Sequence, residues 1–458
     1  MPTGDRHATS ALAFVVAAIA LGYALQVYNG AYADRWAMSA LGLAMLFAAL
    51  GVLLPRVPLA HDREERLLVA VGLIGLAYGA YALLTTPPGL YTGRDANLTL
   101  FHVGIVAATA LAATALLRRP PLGRAHIPLL LVVHLLLGIW IVRSAPAPGI
   151  DVYLFHEEGL KALLAGRSPY STTIANLYGN DYSYYYGPNL VVGGRVQVGH
   201  PYPPLSLLLA LLGHLAGDYR YALVAAVTGA AALIAYLHAG RSARLAAVLL
   251  LFTPRVFFVY EQGWTEPFLV LTLAAVVFCA MRARRGLPFA LGAFLASKQY
   301  ALLAFPAVVL LFPRPIPWKQ VARLVAIVAA LAAVVTLPFV VWDPKGFINS
   351  VLLFQLRQPF RFDSLSLLAK VARHGSTPPG AAFSVVFAVA ALVICLWRAP
   401  RTASGFAGTV TLTFLAFLVF AKQAFWNYYF VVLGGMACAV GATLPTTAEE
   451  DKTRSPLP

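Results

Sequence analysis

The chain has 458 residues, 60% of them hydrophobic and only 11% charged, with a formal net charge of +16. A soluble globular domain is nearer half apolar and a quarter charged, so this composition excludes an ordinary soluble fold. The basic excess does not point to nucleic acid, because the basic residues sit in short clusters between long apolar runs, as in the cytoplasmic loops of membrane proteins.

The first run, "SALAFVVAAIALGYALQVY" (10–28), does not alternate with period two, so it predicts a spanning helix and not a barrel strand. Ala31, Tyr32 and Ala33 follow it and resemble a signal-peptidase site. The run is long for a signal peptide and further runs follow at once, so an uncleaved first helix near 9–28 is expected. Further spans are predicted near 36–54, 67–85, 98–117, 126–143, 219–238, 245–260, 265–281, 287–298, 300–312, 321–342, 380–397, 405–421 and 425–442. That makes about fourteen, which puts both termini on one side. Cys279, Cys395 and Cys438 all fall inside apolar runs and read as packing residues, with no disulfide framework and no CxxC metal site.

Arg63 and Arg66, "RRPPLGR" (118–124), "GRSAR" (240–244), "RARR" (282–285), "RPIPWKQVAR" (314–323) and "RAPR" (398–401) all fall on one face of this arrangement. The positive-inside rule makes that face cytoplasmic, and Arg6, Lys452 and Arg454 at the termini agree. The opposite face carries two long segments, 144–218 and 343–379, rich in aromatic residues and in most of the remaining acids. Loops this long are functional or disordered, and their apolar content argues against disorder. "PYPPLSLLLALLGHLA" (201–216) reads as a helix lying in the interface, since a full span there would move "GRSAR" outside. The 287–312 run lies between two cytoplasmic clusters, so it must cross twice or enter and return, with Lys298 at its tip. No internal repeat is visible.

In the first outer segment, "GIDVYLFHEEGLKALLAGRSPY" (149–170) predicts a short interfacial helix ending near Gly166. Asp151 can cap its free N–H groups or act as a catalytic carboxylate. Tyr153, Leu160, Leu163 and Leu164 form an apolar stripe, Glu157 pairs with Lys161, and Glu157 and Glu158 read as solvated charges. "YGNDYSYYYGPN" (178–189), which includes Asp181, is an interfacial aromatic belt or a sugar platform, and "HPYPPL" (200–205) is a rigid helix entry. "VYEQGWTEPF" (259–268) places Glu261, Gln262 and Glu266 at the outer end of a hairpin. Arg357 and Arg361 stand four apart in "FQLRQPFRFDSLSL" and, if helical, share a face that could clamp a phosphate or bind lipid headgroups. Lys422, Gln423 and Asn427 fall at the outer end of the last hairpin. There is no clear DxD, HExxH, P-loop or GxGxxG signature, so neither a metal nor a cofactor is expected.

"DVY…LLAGRSPY" followed by "YPPL", then "EQGWTEPFLVL", then "LGAFLASKQYALLAFPAVVLLFPRP", resembles the integral-membrane GT-C glycosyltransferases. The likeness is closest to glycosyltransferase family 87, the polyprenol-phosphate-mannose-dependent alpha-mannosyltransferase group. The "KQ…P" part is also similar to the eukaryotic dolichol-phosphate-glucose transferases. The resemblance covers roughly 126–345, about half of the chain. It implies an all-α, polytopic GT-C-like fold with interfacial helices in the outer loops, divided into N-terminal helices (1–125), a catalytic core (126–345), C-terminal helices (346–445) and a cytoplasmic tail (446–458). It also implies an acid in the first outer loop as base, here Asp151 with Glu158 in reserve. Lys298, Gln299, Arg357, Arg361 and Lys422 would hold the donor phosphate, and Tyr170, Tyr202, Gln262, Glu266 and Asn427 the substrate. The expected activity is transfer of a hexose, mannose above all, from a polyprenyl-phosphate donor to a lipid or glycan acceptor. It would proceed without metal, at the outer face of a bacterial plasma membrane and among membrane lipids. The alternative is a transporter or lipid-linked glycan flippase, which would show repeat symmetry and ionisable groups deep in its spans.

Overall fold

The computed structural model describes residues 10–27, 34–54, 61–93, 96–375, 380 and 382–444. The Ala31–Ala33 site, the basic residues of the two termini and the 446–458 tail lie outside the described residues. The described chain is helical almost throughout, as the apolar runs predict, and helices occupy every predicted apolar segment. Five helices are long and apolar enough to cross a membrane: Arg35–Leu53, Arg63–Thr85, Leu98–Ala115, Gly123–Ser144 and Trp318–Trp342. The number rises to seven if each of two bent pairs is one span.

Two bends have local causes. The predicted 245–260 helix is two pieces, Arg241–Leu251 and Val256–Gln262, meeting at 50°. Pro254 lacks an N–H to continue the ladder, and Arg255 takes a left-handed φ of 65°. The predicted 300–312 helix starts as Ala301–Ala304 and continues as a 3-10 segment, Phe305–Leu311, with Pro306 near its start. Helix Pro204–Leu215 lies at 109° to Arg220–Ala235, so the two cannot form one straight span. That bend suits a helix lying across the end of the bundle.

Burial sorts the helices into centre and rim. Ala403–Val419 and Trp426–Gly441 are buried along nearly their whole length. Trp318–Trp342 buries only Val321, Val328 and Phe339, and exposes Val334, Leu337 and Val341. An apolar helix that exposes Val and Leu to its surroundings is matched to hydrocarbon, not water.

The two long polar segments fold onto each other. Asp343 Oδ2 accepts hydrogen bonds from Ser168 Oγ at 2.6 Å and Ser171 Oγ at 2.5 Å. Tyr184 Oη donates to Asp363 Oδ1 at 2.8 Å, and Ser350 Oγ accepts from Gly199 N at 3.1 Å. Residues 344–357 run as a short helix, a π-helical stretch (Ile348–Leu353) and a final turn, Phe354–Arg357. The first segment also contains a small antiparallel sheet, with β1 Ile174–Ala175, β2 Val191–Val192 and β3 Arg195–Val196 in the order β1-β3-β2. Gly193 and Gly194, at φ 57° and 75°, make the two-residue turn between β2 and β3. "VVGGRV" is a hairpin signature that helix periodicity overlooks.

Candidate functional site

A cavity of about 700 Å³ opens where these two segments meet the ends of the central helices. The opening turn of the Asp151–Leu164 helix supplies Asp151, Val152 and Phe155. Tyr178 and Tyr185 come from the same outer segment, and Tyr202 from the proline-rich entry to the next helix. The break after the Leu287–Ser297 helix supplies Lys298, Gln299 and Tyr300. The second segment adds Gln355, Gln358, Arg361 and Asp363, and the turn before the last helix adds Lys422, Gln423 and Asn427.

Asp151 is not the helix cap. Ile150 holds that position, and Asp151 is the first helical residue, with Oδ1 accepting from Val152 N at 2.8 Å. The backbone turns helical one residue earlier than the sequence suggests, which frees the carboxylate to line the cavity. Burial raises its pKa above the ordinary 3.8, against the opposing pulls of the Val152 N–H, the Arg361 guanidinium and the Tyr186 and Tyr178 hydroxyls. The remainder of the helix follows the predicted design with two differences. It ends at Leu164 before Gly166 at φ 67°, but Leu164 is exposed and leaves the apolar stripe. Lys161 pairs with Glu158 at 3.1 Å, three residues away, while Glu157 lies 3.5 Å from His214 on the neighbouring helix.

The cations are held in different ways. Lys298 is buried, 2.9 Å from Glu266 and 2.7 Å from Thr265 Oγ1, with its ammonium 4.0 Å from the centre of the Tyr202 ring. Arg361 forms a fork onto Asp363 at 2.8 and 2.6 Å, and Tyr184, Tyr185 and Phe425 surround its guanidinium at 4.6 to 4.9 Å from their ring centres. Burial would raise the pKa of Asp363, but the Arg361 pair and the Tyr184 hydroxyl outweigh it and hold that carboxyl below its ordinary value. Among the described residues Lys422 has no acidic partner. It donates to the carbonyls of Gln358, Leu356 and Gln355 at 2.6, 3.1 and 3.4 Å. A cation anchored on neutral carbonyls keeps its charge available to an anion in the cavity.

The structure brings together Asp151, Lys298, Gln299, Arg361, Lys422, Tyr202, Gln262 and Asn427. Four other candidates lie off the cavity wall. Glu158 is two turns further along the helix, about 10 Å away, and is paired with Lys161. Tyr170 is buried and donates to the Tyr202 carbonyl at 3.2 Å, so it sits behind the wall. Glu266 is fully buried as the partner of Lys298. Arg357 ends the Phe354–Arg357 turn, and the chain then leaves the helix at Gln358. Arg357 and Arg361 therefore do not share a helical face: Gln358 and Pro359 break the periodicity on which the pairing rested.

Asp363, Tyr184, Gln355 and Gln358 join the site without having been singled out. Tyr184 lay in the predicted aromatic stretch and the others in a long polar loop; apart from the local Arg361–Asp363 pair, the contacts that recruit them join distant parts of the chain. Among the described residues no group of three or more His, Cys, Asp and Glu side chains is placed to hold a metal ion. No family model, curated protein or solved structure matches the chain.

Proposed function

We propose that the chain is a GT-C-like membrane glycosyltransferase of about fourteen spans with both termini cytoplasmic. It moves a hexose, mannose by its resemblance to family 87, from a polyprenyl-phosphate donor to a lipid or glycan acceptor with inversion. The reaction takes place on the extracytoplasmic face of the plasma membrane. The observation that carries this reading is one cavity that joins a half-buried carboxylate, three cations and a tier of aromatic rings.

Asp151 is the base. It removes the proton from the acceptor hydroxyl as that oxygen bonds to the anomeric carbon. The bond from that carbon to the phosphate oxygen breaks, and its electron pair leaves with the polyprenyl phosphate. Arg361, Lys422 and Lys298 stabilise the negative charge on the departing phosphate. Trp264 offers an aromatic surface to a sugar ring, Tyr178, Tyr185 and Tyr202 offer ring edges and hydroxyls, and Gln262 and Asn427 offer amides to its hydroxyls.

Asp151→Asn keeps an oxygen to accept from Val152 N and removes a charge that burial opposes, so the variant is expected to fold at least as stably as the parent. Transfer of labelled sugar from a polyprenyl-phosphate donor, with protein in nanodiscs, should fall about 10²–10⁴-fold. The base works as the anion, so wild-type turnover should rise with pH through a pKa above the ordinary 3.8, and this acid limb should vanish in the variant. Wild-type activity in Asp151→Asn would remove the assignment. Solute counterflow in sealed vesicles without a covalent product would favour the transporter.

A further inference from the structure

Glu261, which the sequence places in a polar turn, has unusual surroundings. It is completely buried. Its carboxylate accepts four hydrogen bonds: Oε2 from Leu90 N at 2.6 Å and Gln262 Nε2 at 3.0 Å, and Oε1 from Tyr91 N at 2.7 Å and Thr92 Oγ1 at 3.2 Å. Three of these donors belong to residues 90–92, about 170 positions away, in the link between the second and third of the five long helices. A carboxylate this deep is tolerated only where donors satisfy it, and here they fix a loop whose backbone would otherwise lack partners. The approach is close enough that a Cβ on Gly89 would overlap the Glu261 carboxylate, which would have to move off its four donors to admit one.

The fixed loop then reaches the catalytic wall. Tyr91 Oη donates to the Gly149 carbonyl at 2.9 Å, and Gly93 N donates to the Ser144 carbonyl at 2.8 Å. The acceptors are the last residue of the Gly123–Ser144 helix and a residue of the short link, 145–150, that delivers Asp151 to the cavity. Leu90 and Gln262, each bonded directly to Glu261, also line that cavity.

We propose that Glu261 is a positioning residue: it holds the 87–93 loop against Gly149 and so sets where Asp151, Leu90 and Gln262 stand. Its catalytic consequence rests on the reading of Asp151 as the base. The N-terminal helices, which lie outside the glycosyltransferase-like core, thereby contribute part of the site.

Tyr91→Phe tests the link to Asp151 without disturbing the buried carboxylate, and Glu261→Gln tests the anchor. Amide hydrogen exchange of residues 145–155 should quicken about ten-fold in Tyr91→Phe, with a melting temperature close to the parent's. In sugar transfer, turnover should fall about ten-fold while the donor KM stays within two-fold, and Glu261→Gln should show the same split with a larger fall. Exchange and turnover both at parental values in Tyr91→Phe would overturn the proposal. A parent without transferase activity, in which Tyr91→Phe still quickens exchange of 145–155, would sink the proposed function and leave the brace standing.

Discussion

His156 and His200 stand behind Asp151 with no exposed surface, their rings 4.7 Å apart and edge to face. His156 Nδ1–H donates to the Val152 carbonyl at 2.9 Å, Tyr219 and Tyr202 flank the ring, and Nε2 has no partner. Burial, with Lys298 nearby, lowers the His156 pKa to about 4, and burial lowers that of His200 well below 6.5. The sign follows from proton binding. Between pH 6.5 and about 4 the unfolded chain binds protons that the folded rings refuse, so stability falls as pH falls through that window. Each ring contributes about 1.4 kcal/mol per pH unit to this slope. Melting temperature in detergent should therefore drop steeply from pH 6.5 to 4, and His156→Gln with His200→Gln should flatten the curve. An unchanged slope in the double variant would place the acid sensitivity elsewhere.

At the scale of single elements, helix position was legible in the sequence and helix continuity was not. Apolar periodicity locates a buried or lipid-facing helix well, because both environments select the same residues. It cannot see that the chain stops being helical at Arg357, nor that Lys298 pairs with Glu266 from a different helix. The place of Asp151 at the start of an outer helix was legible in the sequence, though not that Ile150 takes the cap. The place of Asp363 in the site was not, because it depends on Tyr184, 179 residues away, reaching it. This difference separates the two arginines that the sequence paired. Arg361→Ala removes a charged fork from the cavity wall and should raise the donor KM about 10–100-fold, the range expected for one charge-assisted contact. Arg357 is off the wall, and Arg357→Ala should stay within about two-fold. Donor-dependence curves for the two variants decide this, and equal effects would restore the paired clamp.

At the scale of the whole molecule, the polar contacts sort into two ends. Arg241 pairs with Glu65 at 2.5 Å, Arg244 donates to the carbonyls of Ala115 and Leu117, and Arg401 donates to those of Val309 and Phe312. These contacts join the clusters at 63–66, 118–124 and 240–244, and those at 314–323 and 398–401, and Ser242 and Ser404, both at Thr443, bring the two groups to one end. Glu261 with residues 90–92, Asp343 with Ser168, and Arg361 with the outer aromatics gather the acids and the cavity away from them. Under the proposed orientation, the positive-inside rule puts the arginine end in the cytoplasm and Asp151, the proposed base, on the opposite side. The reaction would then meet a donor whose phosphate lies in the outer leaflet. Single cysteines can test this after Cys279, Cys395 and Cys438 are replaced by alanine. A membrane-impermeant maleimide should label Asn180→Cys and Lys345→Cys, both at exposed positions of the outer segments, in intact cells. It should reach Arg284→Cys and Arg398→Cys, exposed at the basic end, only after permeabilisation. Labelling of the 284 and 398 sites from outside would invert the molecule and place the cavity in the cytoplasm. There a lipid-linked sugar on the outer leaflet could no longer be its donor.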